Sequence, residues 1–353
     1  MRFAKIIAPL CGLAIIGFVI WLMRPIEETD ERDLRDSARF HAEFQVGIIE
    51  LKNAEKEGEQ RLILDRLATF LRLQDKTLVL KWIEEFFRSG LDAKLKMRFE
   101  PGSGGTMKSW SSLRVFLLDW LLSYDPEMAA EISREMLEGF GSADEWAISL
   151  RNLGVLGDPA DLRLMEQKTG ELIGNEEWLR NPTAGFLEAF DLVVFLGKED
   201  LIPEVADLLN GSQSGAVEFA SNLTLNRMVE AYPAETLDHL LSDPASMSAY
   251  PEAKAEIFAR AEVRTGEGAE RVRAYLLSEN TSAQELEHFF QTFPHRGRFI
   301  SNNLLTKSAS PPGYEFTIRE AAVLARIKQW QVDPEFRQLR PYLFEVEQRL
   351  SSQ

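Results

Sequence analysis

The sequence predicts an all-α chain, a right-handed stack of antiparallel helical hairpins (an α-solenoid) behind one N-terminal transmembrane helix. Three observations carry this. An uncharged apolar run opens the chain at Ile6–Met23. Beyond it, apolar residues recur at three- and four-residue intervals, the period of a helix with one buried face. Between those stripes, turns return at spacings of 33, 40, 34 and 36 residues, counted over Asp125, Asp158, Lys198, Tyr232 and Gly268. A period of that size belongs to helical hairpins, which must stack because one hairpin cannot bury both of its apolar faces.

Residues 1–24 read as an uncleaved signal anchor. The 18 uncharged residues of the run reach roughly 27 Å as a helix, near the thickness of a bilayer core. Ile6, Ile7, Leu10, Leu13, Ile15, Ile16, Phe18, Val19, Ile20 and Leu22 supply its apolar surface, and Trp21 stands where an indole lies at headgroup level. A cleavable signal peptide, the alternative that yields a secreted body, ends on small residues, whereas this run ends Trp21-Leu22-Met23-Arg24-Pro25. Acylation at Cys11 asks for a small residue before it, and Leu10 is there instead. Arg2 and Lys5 precede the run while Arg24, Arg32, Arg35 and Arg39 follow it, so a count of basic residues does not hold the N-terminus inside. The leading tail is short, however, and long domains translocate largely regardless of charge. The expected topology is single-pass, with a cytoplasmic N-terminus and the body on the exported side.

The chain has 353 residues, 45% hydrophobic and 27% charged, which suits a folded body with a real core rather than disorder. Its net charge of −16 argues against nucleic acid and against adhesion to anionic lipid. The single cysteine, Cys11, lies inside the apolar run, so the body has no intrachain disulfide and no thiol chemistry.

In order, residues 25–58 are highly charged with a partial stripe of Leu34, Ala38, Phe44, Ile48 and Leu51, read as a stalk helix. The repeat body then occupies residues 59–353. Glu59–Leu73 places Leu62, Ile63, Leu67, Phe70 and Leu71 on one face, and Leu78–Phe87 follows with Trp82, Ile83 and Phe86 inward. Asp92–Phe99 reads as a helix tail, and the glycine-rich 99–109 as a loop. That loop is not a phosphate loop, because Met107 rather than glycine precedes Lys108. Leu113–Leu122 and Trp146–Leu156 are apolar almost all round, hence buried helices. Between them, Asp125-Pro126 opens a helix with Met128, Ile132 and Met136 on one side. Similar hairpins recur at Asp161–Leu172, Phe186–Leu209, Pro233–Leu241 and Gly266–Leu276. A second loop, 307–315, contains the Ser/Pro/Gly-rich break, and Asp333-Pro334 starts a final stripe ending at Leu350, read as a capping helix.

Leu153-Gly-Val-Leu-Gly-Asp-Pro-Ala-Asp-Leu162 resembles the inter-helix turn of a HEAT-type repeat, and Val194-Phe-Leu-Gly-Lys-Glu-Asp-Leu-Ile-Pro203 is similar in a looser form. The resemblance covers about residues 146–211. It implies a scaffold with a concave surface and no particular chemistry.

None of the four histidines, His41, His239, His288 and His295, has a second histidine or cysteine at ligand spacing, so no metal and no cofactor is expected. His239 reads as a solvent-facing helix position. No serine-nucleophile pattern occurs. One local charge anomaly stands out: Arg296, Arg298 and Phe299 place two arginines beside aromatics in an acidic body. They are either a partner-binding edge for carboxylates or a turn neutralised internally by Glu285 and Glu287. The function expected is therefore a non-catalytic, membrane-anchored interaction scaffold holding a partner protein or an extended peptide segment. The alternatives are an envelope chaperone or assembly factor with promiscuous clients, and, in a different class, an enzyme built on a curved helical scaffold.

Overall fold

A computed structural model describes residues 31–139, 141–210, 214–297, 303–306 and 316–352, with side chains from residue 39 onward and, in the last segment, from residue 319. The anchor run Ile6–Met23 lies outside the described residues. Among those described, no helix is long and apolar enough to cross a membrane. The described chain is all-helical apart from one small hairpin. It divides into two compact units, residues 1–81 and 82–353, with the boundary falling inside the third helix.

In the first unit, α1 (Glu31–Asn53) and α2 (Glu57–Leu73) form an antiparallel pair, followed by the start of α3 (Lys76–Arg88). Gly47 lets the pair close: a Cβ there would overlap the Leu67 side chain. Phe40 stacks on Phe70 at 5.4 Å. The buried face of α2 is Gln60, Leu64, Leu67 and Leu71. This corrects the stripe read from the sequence, since Leu62 is 72% exposed. The reason is a polar residue that buries well. The Gln60 amide donates to the carbonyls of Leu51 at 3.1 Å and Ala54 at 3.4 Å, so its burial leaves few polar groups unmet.

The second unit opens with a correction. Residues 92–99 are not a helix tail, and residues 99–109 are not a plain loop. Ala93 and Leu95 bond laterally to Leu113 and Ser111, each at 2.9 Å, which spends backbone groups that a helix needs for itself. A short antiparallel hairpin follows, β1 (Glu100–Pro101) and β2 (Met107–Ser109). Its turn carries Gly104 and Gly105 in succession at φ 67° and 80°, a conformation that side chains resist.

Helix α4 (Leu113–Tyr124) is the apolar core helix, packed by α5 (Pro126–Glu138) and α6 (Ala143–Leu156). Caps mark each start. Ser112 and Asp125 accept from the backbone at the heads of α4 and α5. Ser142 and Glu145 form a reciprocal capping box on α6. After the Asp158-Pro159 turn come α7 (Leu162–Ile173) and short α8 (Glu176–Arg180). The first arm of the hairpin expected at Phe186–Leu209 is two short helices, α9 (Ala184–Glu188) and α10 (Asp191–Leu196). Next are α11 (Leu201–Asn210), α12 (Gly215–Ala231), α13 (Pro233–Ser242), α14 (Pro251–Ala259), α15 (Gly266–Leu277) and α16 (Ala283–Thr292). The chain closes with α17 (Phe316–Val332), a 3-10 turn at Pro334–Gln338, and α18 (Arg340–Ser351). An aromatic column ties this end together: Phe258 stacks on Tyr275 at 3.9 Å, Phe289 on Phe293 at 4.7 Å, and Trp330 on Phe336 at 5.2 Å. Arg349 of α18 donates to the carbonyls of Phe290 and Gln291, the open C-terminal end of α16.

Several polar contacts recur at a narrow range of separations. Ser111 to Asp144, Arg114 to Glu145, Asp119 to Arg151, Leu118 to Asn152, Asp191 to Arg227, Asn226 to Arg260 and Asp238 to Arg271 are separated by 33, 31, 32, 34, 36, 34 and 33 residues. Other polar contacts fall outside that range, Arg134 to Asp161 at 27 residues and Arg88 to Glu135 at 47.

Candidate functional site

Four of these charged positions do more than join helices: each also holds a piece of irregular backbone. The first is Asp144, in the opening turn of α6, where the exposed backbone N–H groups of the helix favour a carboxylate. It accepts from Ser111 Oγ at 2.5 Å, Thr183 Oγ1 at 2.5 Å and the Gly185 N–H at 2.9 Å. Its neighbour Glu145 takes the Ser142 N–H at 2.7 Å and pairs with buried Arg114, which also donates to the Phe87 carbonyl at 3.0 Å. A pocket of about 430 Å³ opens here, lined by Lys94, Arg114, Asp144 and Glu145 among others.

The second is Arg151, only 2% exposed. It donates to the Gly105 carbonyl at 2.8 Å and pairs with Asp119, which also accepts from the Trp110 indole at 2.9 Å. Burial lowers the Arg151 pKa, and the Asp119 carboxylate opposes that shift. The hairpin turn is thus fastened to α4 and α6 by one guanidinium.

The third is Asp191, at the start of α10. One oxygen accepts the Leu305 N–H at 2.6 Å and the Thr306 N–H at 2.8 Å. The other accepts from Arg227 Nη1 at 2.6 Å and from the Thr306 hydroxyl. The fourth is Arg260, which donates to Asn226, to Glu230 at 3.0 Å and to the Gly297 carbonyl at 2.8 Å. Beside it Arg319 donates to the carbonyls of His295 at 2.8 Å and Arg260 at 2.7 Å.

Two titratable groups sit within this set. Glu188 is pushed up to about 7, chiefly by burial, then by Asp191 and Glu100, with Arg227 opposing. His295 is pushed down to about 4 by burial and by Arg260 and Arg319, with Glu256 opposing. The signs differ. Between about 4.5 and 7 the folded chain holds a proton on Glu188 that the unfolded chain has released, so stability falls as pH rises through that window. Between 6.5 and about 4 the unfolded chain protonates His295 first, so stability is lost as pH falls. Glu188→Gln should therefore flatten the first slope and leave the second. The check is the urea midpoint of both proteins across this range. A wild-type-minus-variant difference that does not change with pH would refute the Glu188 assignment.

Of the residues singled out in the sequence, Arg296 pairs with Glu320 at 2.7 Å. Glu285 instead closes the Ser282 capping box, and Glu287 accepts from Gln291 at 3.2 Å. Arg298 and Phe299 lie outside the described residues, as do the anchor residues Ile6 to Leu22. His239 is half-buried: part of its side chain meets solvent, while its Nε2 is buried with no hydrogen-bond partner among the described residues. Among the described residues no cluster of three potential metal ligands occurs. Sequence reasoning passed over Asp144, Arg151, Asp191 and Arg227, although a signal existed. Arg151, Asp191 and Arg227 are charges among mostly apolar helical neighbours, and such a charge needs a buried partner, whereas Asp144, next to Glu145, carries no such signal.

No protein-family model matches the chain, and neither does any curated protein or any solved structure.

Proposed function

We propose that this chain is a membrane-tethered, non-catalytic interaction scaffold. The tether is the apolar run at Ile6–Met23, the body stands on the exported side, and the helical pairs of the 82–353 unit are consecutive hairpins of an α-solenoid. The observation that carries the reading is the series of cross-helix bonds, each spanning 31 to 36 residues. A bond repeated one hairpin along is the sign of stacking by nearest neighbours, and such stacks create extended binding surfaces. The non-catalytic part is supported by the state of the Glu188–Asp191 carboxyl pair. A carboxylate that does acid–base work must reach the proton it moves with an open oxygen. Here both oxygens of Asp191 are already occupied by Arg227, Leu305 and Thr306.

The test is crosslinking of the full-length protein in its native membrane, followed by capture and identification of what is joined to it. The expected result is that the protein resists carbonate extraction and returns one stoichiometric partner. A broad set of unfolded clients would favour a chaperone instead. Recovery of the full-length chain in the soluble fraction would overturn the tether.

A further inference from the structure

We infer that the polar pocket between residues 92–94 and the head of α6 binds a small zwitterion of the free α-amino acid class, with Lys94 taking its carboxylate and Asp92 its ammonium. The site lies wholly within the 82–353 unit and does not depend on the scaffold reading.

The pocket, of about 430 Å³, is of a size that small-molecule sites commonly have. One wall is set by backbone pairing. Lys94 bridges Ser112 in antiparallel sense, between the bond from the Leu113 N–H to Ala93 and the bond from the Leu95 N–H to Ser111, each 2.9 Å. Side chains alternate across such a pair. Ala93 and Leu113 therefore turn into the core, both fully buried, while Asp92, Lys94, Ser112 and Arg114 line the pocket. Ser142, Asp144 and Glu145 of the α6 head line it too, with Thr183.

Most of these groups are spent on one another. Asp144 accepts from Ser111, Thr183 and the Gly185 N–H. Glu145 takes Arg114 and the Ser142 N–H. The rest is open. The Lys94 ammonium makes no hydrogen bond or ion pair among the described residues. Asp92 accepts the Arg114 N–H on Oδ1 at 3.0 Å, which leaves Oδ2. Ser112 and Ser142 accept the Val115 and Glu145 N–H groups, each at 3.3 Å, and their own protons have no acceptor among the described residues. One cation and two hydroxyl donors suit an oxyanion, and one carboxylate oxygen suits an ammonium. Charge excludes the simpler guests. The pocket holds two cations, Lys94 and Arg114, against three carboxylates, so an anion alone meets net repulsion and a cation alone leaves Lys94 unanswered. Alternate residues of an extended strand stand about 6.6 Å apart. A compact molecule whose opposite charges are neighbours spans that interval, and an α-amino acid is the simplest one.

Isothermal titration calorimetry of the purified full-length chain in detergent, against the standard α-amino acids one at a time, tests this. At least one should give saturable heat. Its deaminated acid, which keeps the carboxylate and lacks the ammonium, should bind about tenfold more weakly or worse, the scale of one charge-assisted hydrogen bond. Lys94 is exposed, so Lys94→Met should spare the fold and weaken the amino acid by a similar factor. Asp92→Asn keeps an oxygen for the Arg114 N–H and should bring the amino acid down to the affinity of its deaminated acid. Helical circular dichroism and an unchanged melting temperature without ligand establish that both variants are folded. No saturable binding of any amino acid to wild type would overturn the inference, as would undiminished binding to the folded Lys94→Met chain. A deaminated acid that binds as tightly as the amino acid, with no change in Asp92→Asn, would make this a plain anion site and sink the zwitterion assignment.

Discussion

Arg151→Met is expected to destabilise the 82–353 unit by about 3–5 kcal/mol, the usual cost of stripping one partner from a buried ion pair. Methionine nearly fills the same volume, so the loss is not a cavity effect. What remains behind is a largely buried Asp119 carboxylate, 16% exposed, and a Gly105 carbonyl without its guanidinium. For a unit of this size each kcal/mol shifts the melting temperature by roughly 2–4 °C, so a fall of about 10 °C is anticipated. Arg151→Met with Asp119→Leu should recover much of the loss, because an apolar pair of similar volume often replaces a buried ion pair at little cost. Calorimetry on the two variants decides the matter. If the single variant melts with wild type, the guanidinium is not what fastens the hairpin.

Asp144→Ala is the second large effect. The carboxylate takes three donors, from Ser111, Thr183 and Gly185, and is itself 8% exposed. Bonds to a charged group contribute about 1.5–3 kcal/mol each, and they are not additive within one network. A loss of about 3–5 kcal/mol is therefore expected, with Asp144→Asn intermediate because its amide oxygen keeps part of the set. The substitution also has a local signature. Thr183 and Gly185 tie down the segment that follows exposed Arg180. Limited trypsin should cut after Arg180 sooner in Asp144→Ala than in wild type, under conditions where both remain folded. Equal cleavage rates would show that the segment is held by something else.

Much of the architecture could be read before any coordinates. Buried helices at Leu113–Leu122 and Trp146–Leu156 follow from apolar residues on every face. Their limits follow from local chemistry, because Asp125-Pro126 and Asp158-Pro159 stop one helix and cap the next within a few residues. The 33-to-40 spacing of turns is likewise read from residues close together in the chain.

The failures share a different cause. Residues 92–99 look helical one at a time, but their backbone bonds go sideways to 111–113, a pairing that no window of residues contains. Leu62 belongs to a good stripe, yet Gln60 takes the buried place because two carbonyls of another segment stand within its reach. The Asn303–Thr306 segment reads as nothing in particular, since what defines it is an aspartate more than 100 residues earlier. By itself, then, the sequence determined helix content and many helix limits, because periodicity, caps and proline act over a few residues. Tertiary structure alone decided which charges are buried, whom they hold and where irregular backbone is clamped. A desolvated charge is tolerable only beside its partner, and the partner is chosen by proximity in space.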